Sequence, residues 1–553
     1  MTAATQTPRR TTGLSRTADG RPVPSARSRL APAIRGLDRR GGWVATLAVT
    51  LLAGFLRLWH LGTPRQFLFD ETYYAKDAWS LLQHGYVTGY VDGADEKILD
   101  GRVTGIFTDG PSMIVHPEIG KWLIATGEWA FGMNPFGWRF AAAVVGTLMV
   151  LVMVRLARRL TGSTLLGCTA GLLLCVDGLQ FVMSRLALLD VFMAFFLLSA
   201  VSCLVADRDW GRLRLARLVG PGGQAGSGFG PVRGLRFRPW RLAAGVLFGL
   251  AVATKWNALF PLAAFGLLVW AWDAGARRSI GVRQAVWKSA LVDALPAFGY
   301  LVLVGGVVYV ASWTGWLLHA HAYETTLSNT QYGPYWGSYL ETDAHGFFAE
   351  LAQSLRSLWN YHQDVFTFHT QALDDAEHTY QSNPAGWLIL NRPVGVDAQL
   401  DIQPGAQGCA APAGSTCLRQ VLLLGTPALW WGGVPALLYA AYAWVARRDW
   451  RYGVAVVGVL ASWLPWLRYD DRPIFSYYAV AIIPFTVLAV TLIIGRLIGG
   501  ARASSAHRLW GTAAAGAFVL LVVVNFAWFW PIYTDQLIST PEWLERIWFR
   551  QWI

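Results

Sequence analysis

The sequence predicts an all-α polytopic membrane protein of about eleven transmembrane helices with two large extracytoplasmic loops. Three observations predict it. First, 54% of the 553 residues are hydrophobic and only 14% are charged, with a mean hydropathy of +0.36, whereas soluble domains carry roughly a quarter charged residues. Second, apolar runs recur from Trp43 to Trp530, the first of them close to the ~20 residues that cross a bilayer. Third, Arg clusters occupy alternate connections between the runs, and the 29 Trp and 19 Tyr suit membrane–water boundaries. The net charge of +12 lies mainly in a tail and in these connections. It therefore encodes topology rather than nucleic-acid binding, and no nucleic-acid motif or zinc-ligand cysteine cluster accompanies it.

Residues 1–42 hold nine Arg against two Asp, with no apolar periodicity. They read as a disordered basic tail retained in the cytoplasm. Residues 43–61 are too long an apolar run for a cleaved signal segment and form a signal-anchor span. An outer loop of residues 62–135 follows, and within it residues 121–131 read as an amphipathic interfacial helix. Spans are expected at 136–160, 165–182, 191–205, 242–254, 259–272 and 290–310, completing an N-terminal transmembrane catalytic module over residues 43–311. The Gly-rich stretch 220–230 lacks the Lys-Ser/Thr of a P-loop and reads as a linker. Residues 312–420 form the second outer loop. Spans at 421–445, 454–466, 476–494 and 511–530 complete the C-terminal helices of residues 421–530. Residues 531–553 end outside. Every turn assigned to the inside is Arg-rich, and backbone pairing in hydrocarbon requires the spans to be helical.

This topology gathers Asp70, Glu71, His116, Lys121, Arg139, Arg185, Asp190 and Lys255 at one face of the membrane. Each has a bland reading. The acidic pair suits a helix N-terminus, and each cation suits interfacial snorkelling. Together they suit a phosphate held by cations beside a carboxylate base. The second outer loop adds His362, His369, His378, Tyr380, Gln381 and several Trp, a mixture suited to sugar or peptide recognition, and Asp470-Asp471-Arg472 forms the last outer turn. The histidine spacing matches no zinc pattern. Cys168, Cys175 and Cys203 lie in apolar runs as packing residues. Cys409 and Cys417 form a disulfide candidate if their loop lies outside the cytoplasm.

Five motifs occur in order: Asp70-Glu71, His116-Pro117 with Gly120-Lys121, Ser184 to Asp190, Thr254-Lys255-Trp256, and the His369/His378-Tyr380-Gln381-Ser382 loop. Together, over nearly the whole chain after residue 42, they resemble the protein O-mannosyltransferases. These are multi-span GT-C glycosyltransferases that use polyprenyl- or dolichyl-phosphate mannose. The second outer loop lacks room for a soluble β-trefoil domain, which is like the bacterial branch. Glu118 stands where the family often has a second Pro.

The resemblance implies a single inverting displacement at the outer face of the cell membrane. Asp70 would take the proton of a Ser/Thr hydroxyl, and Glu71 would orient the acceptor or a neighbouring cation. Arg139 is the first choice for the donor phosphate, with Lys121, Arg185 and Lys255 as further candidates. Tyr74, His116, Asp190, His369, His378, Gln381 and Arg472 would bind substrate or support the site. The partners implied are polyprenyl-phosphate mannose, membrane lipid and secreted polypeptides, the latter as they leave the translocon. No cofactor is required on this account, and a divalent metal is left open. Two rivals stand beside it. One is a GT-C enzyme with a glycan or lipid acceptor. The other is a transporter, against which the one-sided charges and the missing internal repeat argue.

Overall fold

The computed structural model describes residues 30, 40–220, 228–328, 346–373, 376–412, 414–469, 472–500 and 502–553. The expected basic tail lies almost wholly outside these residues, as do most of the Gly-rich linker and Asp470-Asp471. Six described helices are long and apolar enough to cross a membrane. They are α1 (Arg40–Leu58), α4 (Pro135–Thr161), α6 (Leu189–Val219), α8 (Trp256–Ser279, with a 3-10 first turn), α9 (Ala285–Ser312, interrupted by π turns) and α14 (Ser505–Tyr533). Shorter apolar helices lie among them: α5 (Thr164–Cys175), α7 (Pro239–Val252) and α13 (Ile483–Ile498). So do α11 (Pro427–Val445) and α12 (Trp450–Trp463). Three polar-loop helices complete the frame: α2 (Glu71–His84), α3 (Ile119–Phe131) and α10 (Phe347–Thr367).

Local chemistry sets the turns. α4 opens on the Asn134 cap, whose side chain accepts from Gly137 N at 3.1 Å, with Pro135 at the first helical position. It closes on Gly162 at φ 73°, and Ser163 then caps α5. The turn from α3 into α4 is tight. A Cβ on Gly137 would lie 2.0 Å from the Gly132 carbonyl, and one on Gly127 would lie 2.3 Å from the Gly137 carbonyl. That approach swings α3, predicted as the interfacial helix, back across the N-terminal end of α4. At the other end of the bundle two arginines are paired. Arg238 and Arg241 share Asp207, and Arg241 also reaches Asp273 at 2.7 Å, which ties α6, α7 and α8 together.

Two expected spans take different form. The run 165–182 breaks at Asp177, whose carboxylate caps a short helix (Gly178–Met183) and accepts from Trp430 Nε1 at 2.7 Å. The span expected from residue 421 begins at Pro427. Residues Cys417–Leu423 are instead β4, the middle strand of a sheet with β3 (Val394–Ile402) and β5 (Ile538–Ser539). Val421, Leu422 and Leu423 are buried, and an apolar run in a central strand has no periodicity to separate it from a helix. A two-stranded ribbon, β1 (Thr88–Tyr90) with β2 (Phe107–Pro111), lies in the first outer loop. Cys409 and Cys417 are joined by a disulfide, so the second loop is pinned to the sheet that also takes in β5.

Candidate active site

Asp70 and Glu71 stand at the start of α2 and meet opposite environments. Glu71 is fully buried and accepts four hydrogen bonds: Arg139 Nε at 2.9 Å, Arg139 Nη2 at 2.8 Å, Leu68 N at 3.0 Å and Ala187 N at 2.9 Å. Arg139 spends its other donors on the carbonyls of Pro64 and Gln66, both at 2.9 Å. This pair welds the loop before α2 to α4 and to the Ser184–Asp190 motif. Arg139, expected first at the donor phosphate, is thus 1% exposed and engaged on every side. Arg185 likewise turns away. It donates to the carbonyls of Arg57 and Trp59 at 2.9 and 2.6 Å, capping the end of α1. Lys121, also buried, pairs with Asp77 at 2.9 Å.

Asp70 is differently placed. Its carboxylate meets two tyrosine hydroxyls, Tyr74 at a long 3.4 Å and Tyr477. Burial pushes its carboxyl up to about 6; Lys255 pulls it down, Asp190 raises it, and the Tyr74 and Tyr477 hydroxyls lower it. A group that titrates there is ionised at neutral pH yet basic enough to take a proton. The residue before it, Phe69, has φ 51°, a left-handed conformation that costs a non-glycine residue about 1–3 kcal/mol.

A cavity of about 310 Å³ opens against Lys255, whose charge acts on Asp70, although Asp70 does not itself line it. Lys255 and Arg472 supply its cations, His116 and His369 its imidazoles. Leu259, Phe260, Phe366, Pro465, Trp466 and Tyr469 give it an apolar flank. Lys255 Nζ pairs with Asp190 at 2.8 Å and lies 4.5 Å from the Tyr478 ring centroid. Burial opposes its charge, but Asp190, Tyr478 and Asp70 together more than offset this, so its ammonium is held above its ordinary range. Arg472 donates to the His369 carbonyl. His116 and His369 stack with centroids 5.2 Å apart, and His369 Nε2 lies 2.9 Å from the Val115 carbonyl. Burial pushes both imidazoles down, His369 to about 4 despite its carbonyl partner, with Arg472 and Lys255 pushing further. Both rings are neutral at pH 7, able to donate a hydrogen bond without adding charge. Tyr74 bridges Asp70 and the cavity, touching Asp70 through its hydroxyl and the His116 ring at 6.2 Å. His378 packs edge-on to Phe69 at 5.7 Å, and Gln381 accepts from His378 N at 3.1 Å to shape that turn. Among the described residues no group of three or more His, Cys, Asp or Glu is placed to hold a metal.

The chain is 38% identical over 524 residues to the polyprenol-phosphate-mannose–protein mannosyltransferase of Mycolicibacterium smegmatis (strain MKD8), covering 93% of this chain and 94% of the relative. The family model for dolichyl-phosphate-mannose-protein mannosyltransferase matches residues 47–214. The model for the C-terminal four TMM region of protein-O-mannosyltransferase matches residues 354–552. This chain belongs to the protein O-mannosyltransferase family. Relatives with the same description from Mycobacterium tuberculosis (strain CDC 1551 / Oshkosh) and Corynebacterium glutamicum (strain ATCC 13032) are 37% and 33% identical. They cover 93% and 91% of this chain and the same shares of their own lengths. The S. cerevisiae protein O-mannosyltransferase Pmt1-Pmt2 complex, solved with its sugar donor bound, shares the fold. Its TM-score is 0.66 over 95% of both chains, at 13% identity. The mannosyltransferase reading therefore rests on close relatives, and the architecture on a distant one.

Within this site, sequence reasoning missed Asp77, Tyr477 and Tyr478. Asp77 carried a signal, since it stands about two turns after the acidic pair along α2. The tyrosines carried none, because Ser476 onward reads as one more apolar span. Their segment is a buried 3-10 turn (Ser476–Ala481) that delivers two rings to the site.

Proposed function

We propose that this chain transfers mannose from polyprenyl-phosphate mannose to Ser/Thr hydroxyls of secreted polypeptides, with inversion, at the outer face of the cell membrane. The carrying observation is a half-buried carboxylate, Asp70, electrostatically coupled to Lys255 in the wall of a cavity lined by both cations and apolar rings. A lipid-linked phosphate needs both. The names of the bacterial relatives support the donor and the protein acceptor. Asp70 takes the proton of the acceptor hydroxyl as its oxygen attacks the anomeric carbon. The bond from that carbon to the phosphate oxygen breaks, and its electron pair leaves with the lipid phosphate. Lys255 and Arg472 meet the phosphate charge, and His116 donates to it as a neutral imidazole. Asp190 holds Lys255, and Glu71 holds Arg139, so both act on the site's shape. The N-terminus lies in the cytoplasm, and the acceptor arrives as it leaves the translocon. The displacement asks for no metal or cofactor.

The test is a transfer assay in membranes. It uses radiolabelled polyprenyl-phosphate mannose and a Ser/Thr-rich peptide, with and without EDTA, for wild type and Asp70→Asn. Label on the peptide that is lost in Asp70→Asn and indifferent to EDTA is the expected result. Label on a glycan or lipid instead would overturn the protein acceptor, and activity retained in Asp70→Asn would overturn the base.

A further inference from the structure

The backbone that presents Asp70 is held from outside the site. A phenylalanine keeps the left-handed conformation of Phe69 only when its surroundings enforce it. Three rings surround it edge-on: His378 at 5.7 Å, Phe475 at 5.4 Å and Tyr477 at 5.8 Å. His378 is itself exposed, so something else must fix its turn. Arg392 does so. Its Nη2 donates to the Thr379 carbonyl at 2.9 Å, and its guanidinium lies 5.6 Å from the Tyr380 ring centroid. Its own carbonyl accepts from Ser476 Oγ at 2.5 Å, between Phe475 and Tyr477. Arg392 therefore touches the segments that carry all three rings. Its remaining donor, Nη1, reaches the last stretch of the chain, at the carbonyls of Gln551 (2.6 Å) and Ile553. Trp552 between them is buried, and its indole N–H donates to the Leu390 carbonyl at 2.7 Å. Residues 390–392 and 551–553 thus form a clasp closed in both directions.

We propose that Arg392, clasped by the Trp552 segment, is a positioning residue for Asp70: it holds the His378–Phe475–Tyr477 box that keeps Phe69 left-handed and so aims the base. The proposal rests on the reading of Asp70 as the base. None of these residues meets the cavity; the planar guanidinium joins the Thr379–Tyr380 turn to the last stretch of the chain, and the main-chain carbonyl of the same residue holds the Ser476 segment.

The test uses the full-length protein in lipid nanodiscs, as wild type, Arg392→Lys, Arg392→Gln, Trp552→Phe and Trp552→Ala. The first readout needs no sugar transfer. Carbodiimide labelling of the protonated Asp70 carboxyl is followed by mass spectrometry across its titration, which is centred at about 6 in the wild type. Lys255, Asp190, Tyr74 and Tyr477 also face Asp70. Only the box around Tyr477 is disturbed by these variants, so a shift reports the box. In Arg392→Gln and Trp552→Ala the midpoint is expected to move by about one pH unit toward the ordinary carboxylate value, as water reaches the group. The second readout is kinetic. The same variants are expected to lose roughly tenfold or more in kcat while KM for the donor stays within about twofold. Arg392→Lys and Trp552→Phe should recover part of both effects. A wild-type midpoint and kcat in Arg392→Gln would overturn the proposal. So would a kcat that falls only in proportion to the donor-binding fraction, with the midpoint unmoved. A shifted midpoint in a protein that transfers no mannose to peptide would uphold the clasp and sink the acceptor reading instead.

Discussion

At the scale of single residues, two adjacent carboxylates divide the work by environment alone. Asp70 has only tyrosine hydroxyls about it and a raised carboxyl, whereas Glu71 has four donors and full burial. Asp70→Asn keeps the size of the side chain and removes the base, so transfer is expected to fall roughly 10²–10⁴-fold. Its melting temperature should stay close to wild type. The pH profile follows from the same group. The base must be ionised, so kcat/KM is expected to be level above about pH 6 and to fall as pH drops through it. A profile level down to pH 4.5 would remove Asp70 from the proton transfer. Glu71→Ala and Arg139→Ala act otherwise, because each leaves a buried charge without its partner, a loss of about 3–5 kcal/mol. The expected readout is a lowered melting temperature and less folded protein, before any change in donor KM. Lys255→Gln, which takes a cation from the cavity wall, should instead raise donor KM. An Arg139→Ala protein that melted normally but bound donor weakly would return Arg139 to the phosphate.

At the scale of elements, α3 begins on a residue that works against it. Glu118 is fully buried, and neither carboxylate oxygen has a hydrogen-bond partner among the described residues. Burial pushes its carboxyl from 4.5 up to about 7, and Lys121 and the Trp122 indole pull it back only in part. The folded chain therefore holds a proton that the unfolded chain releases. Stability falls as pH rises from about 4.5 through about 7 and stays lower above that. Glu118→Gln removes the penalty. It should match wild type near pH 4.5 and gain on the order of 3 kcal/mol at pH 8, read as a rising difference in melting temperature. An equal difference at both pH values would assign the effect to packing instead. Elements of this kind were partly legible. The apolar runs located nearly every long helix, because bilayer length and Arg-marked inner ends are written in composition. β4 and the Tyr477–Tyr478 turn were not legible, because a strand or a 3-10 turn buried on all sides shows the same unbroken apolar run as a span. At the site, residue types announced themselves through scarcity, five lysines and paired carboxylates among apolar runs. Which cation faced the cavity was not written there. Arg139 and Lys255 sit in similar local contexts, and only the fold gives one to Glu71 and the other to Asp190.

At the scale of the whole molecule, the polar features separate to opposite ends of the helices. The disulfide, the three-stranded sheet and Asp70 share one end, linked by Gln66 Nε2 donating to Asp397 on β3 at 2.5 Å. The Asp207–Arg238–Arg241–Asp273 cluster holds the other. Disulfides persist in oxidising compartments and are rare in reducing ones, so on the proposed topology this end of the molecule faces outward. The free cysteines Cys168 and Cys203 lie on α5 and α6, half-buried, and Cys175 is buried. Intact cells treated with a membrane-impermeant maleimide should therefore leave the chain unlabelled. After an impermeant reductant is added outside, Cys409 and Cys417 should both label, and a Cys409→Ser, Cys417→Ser double variant should not. Labelling of that pair without reduction, and only after the membrane is permeabilised, would place the sheet and Asp70 in the cytoplasm. The base would then face unsecreted chains, and the proposed acceptor could not reach it.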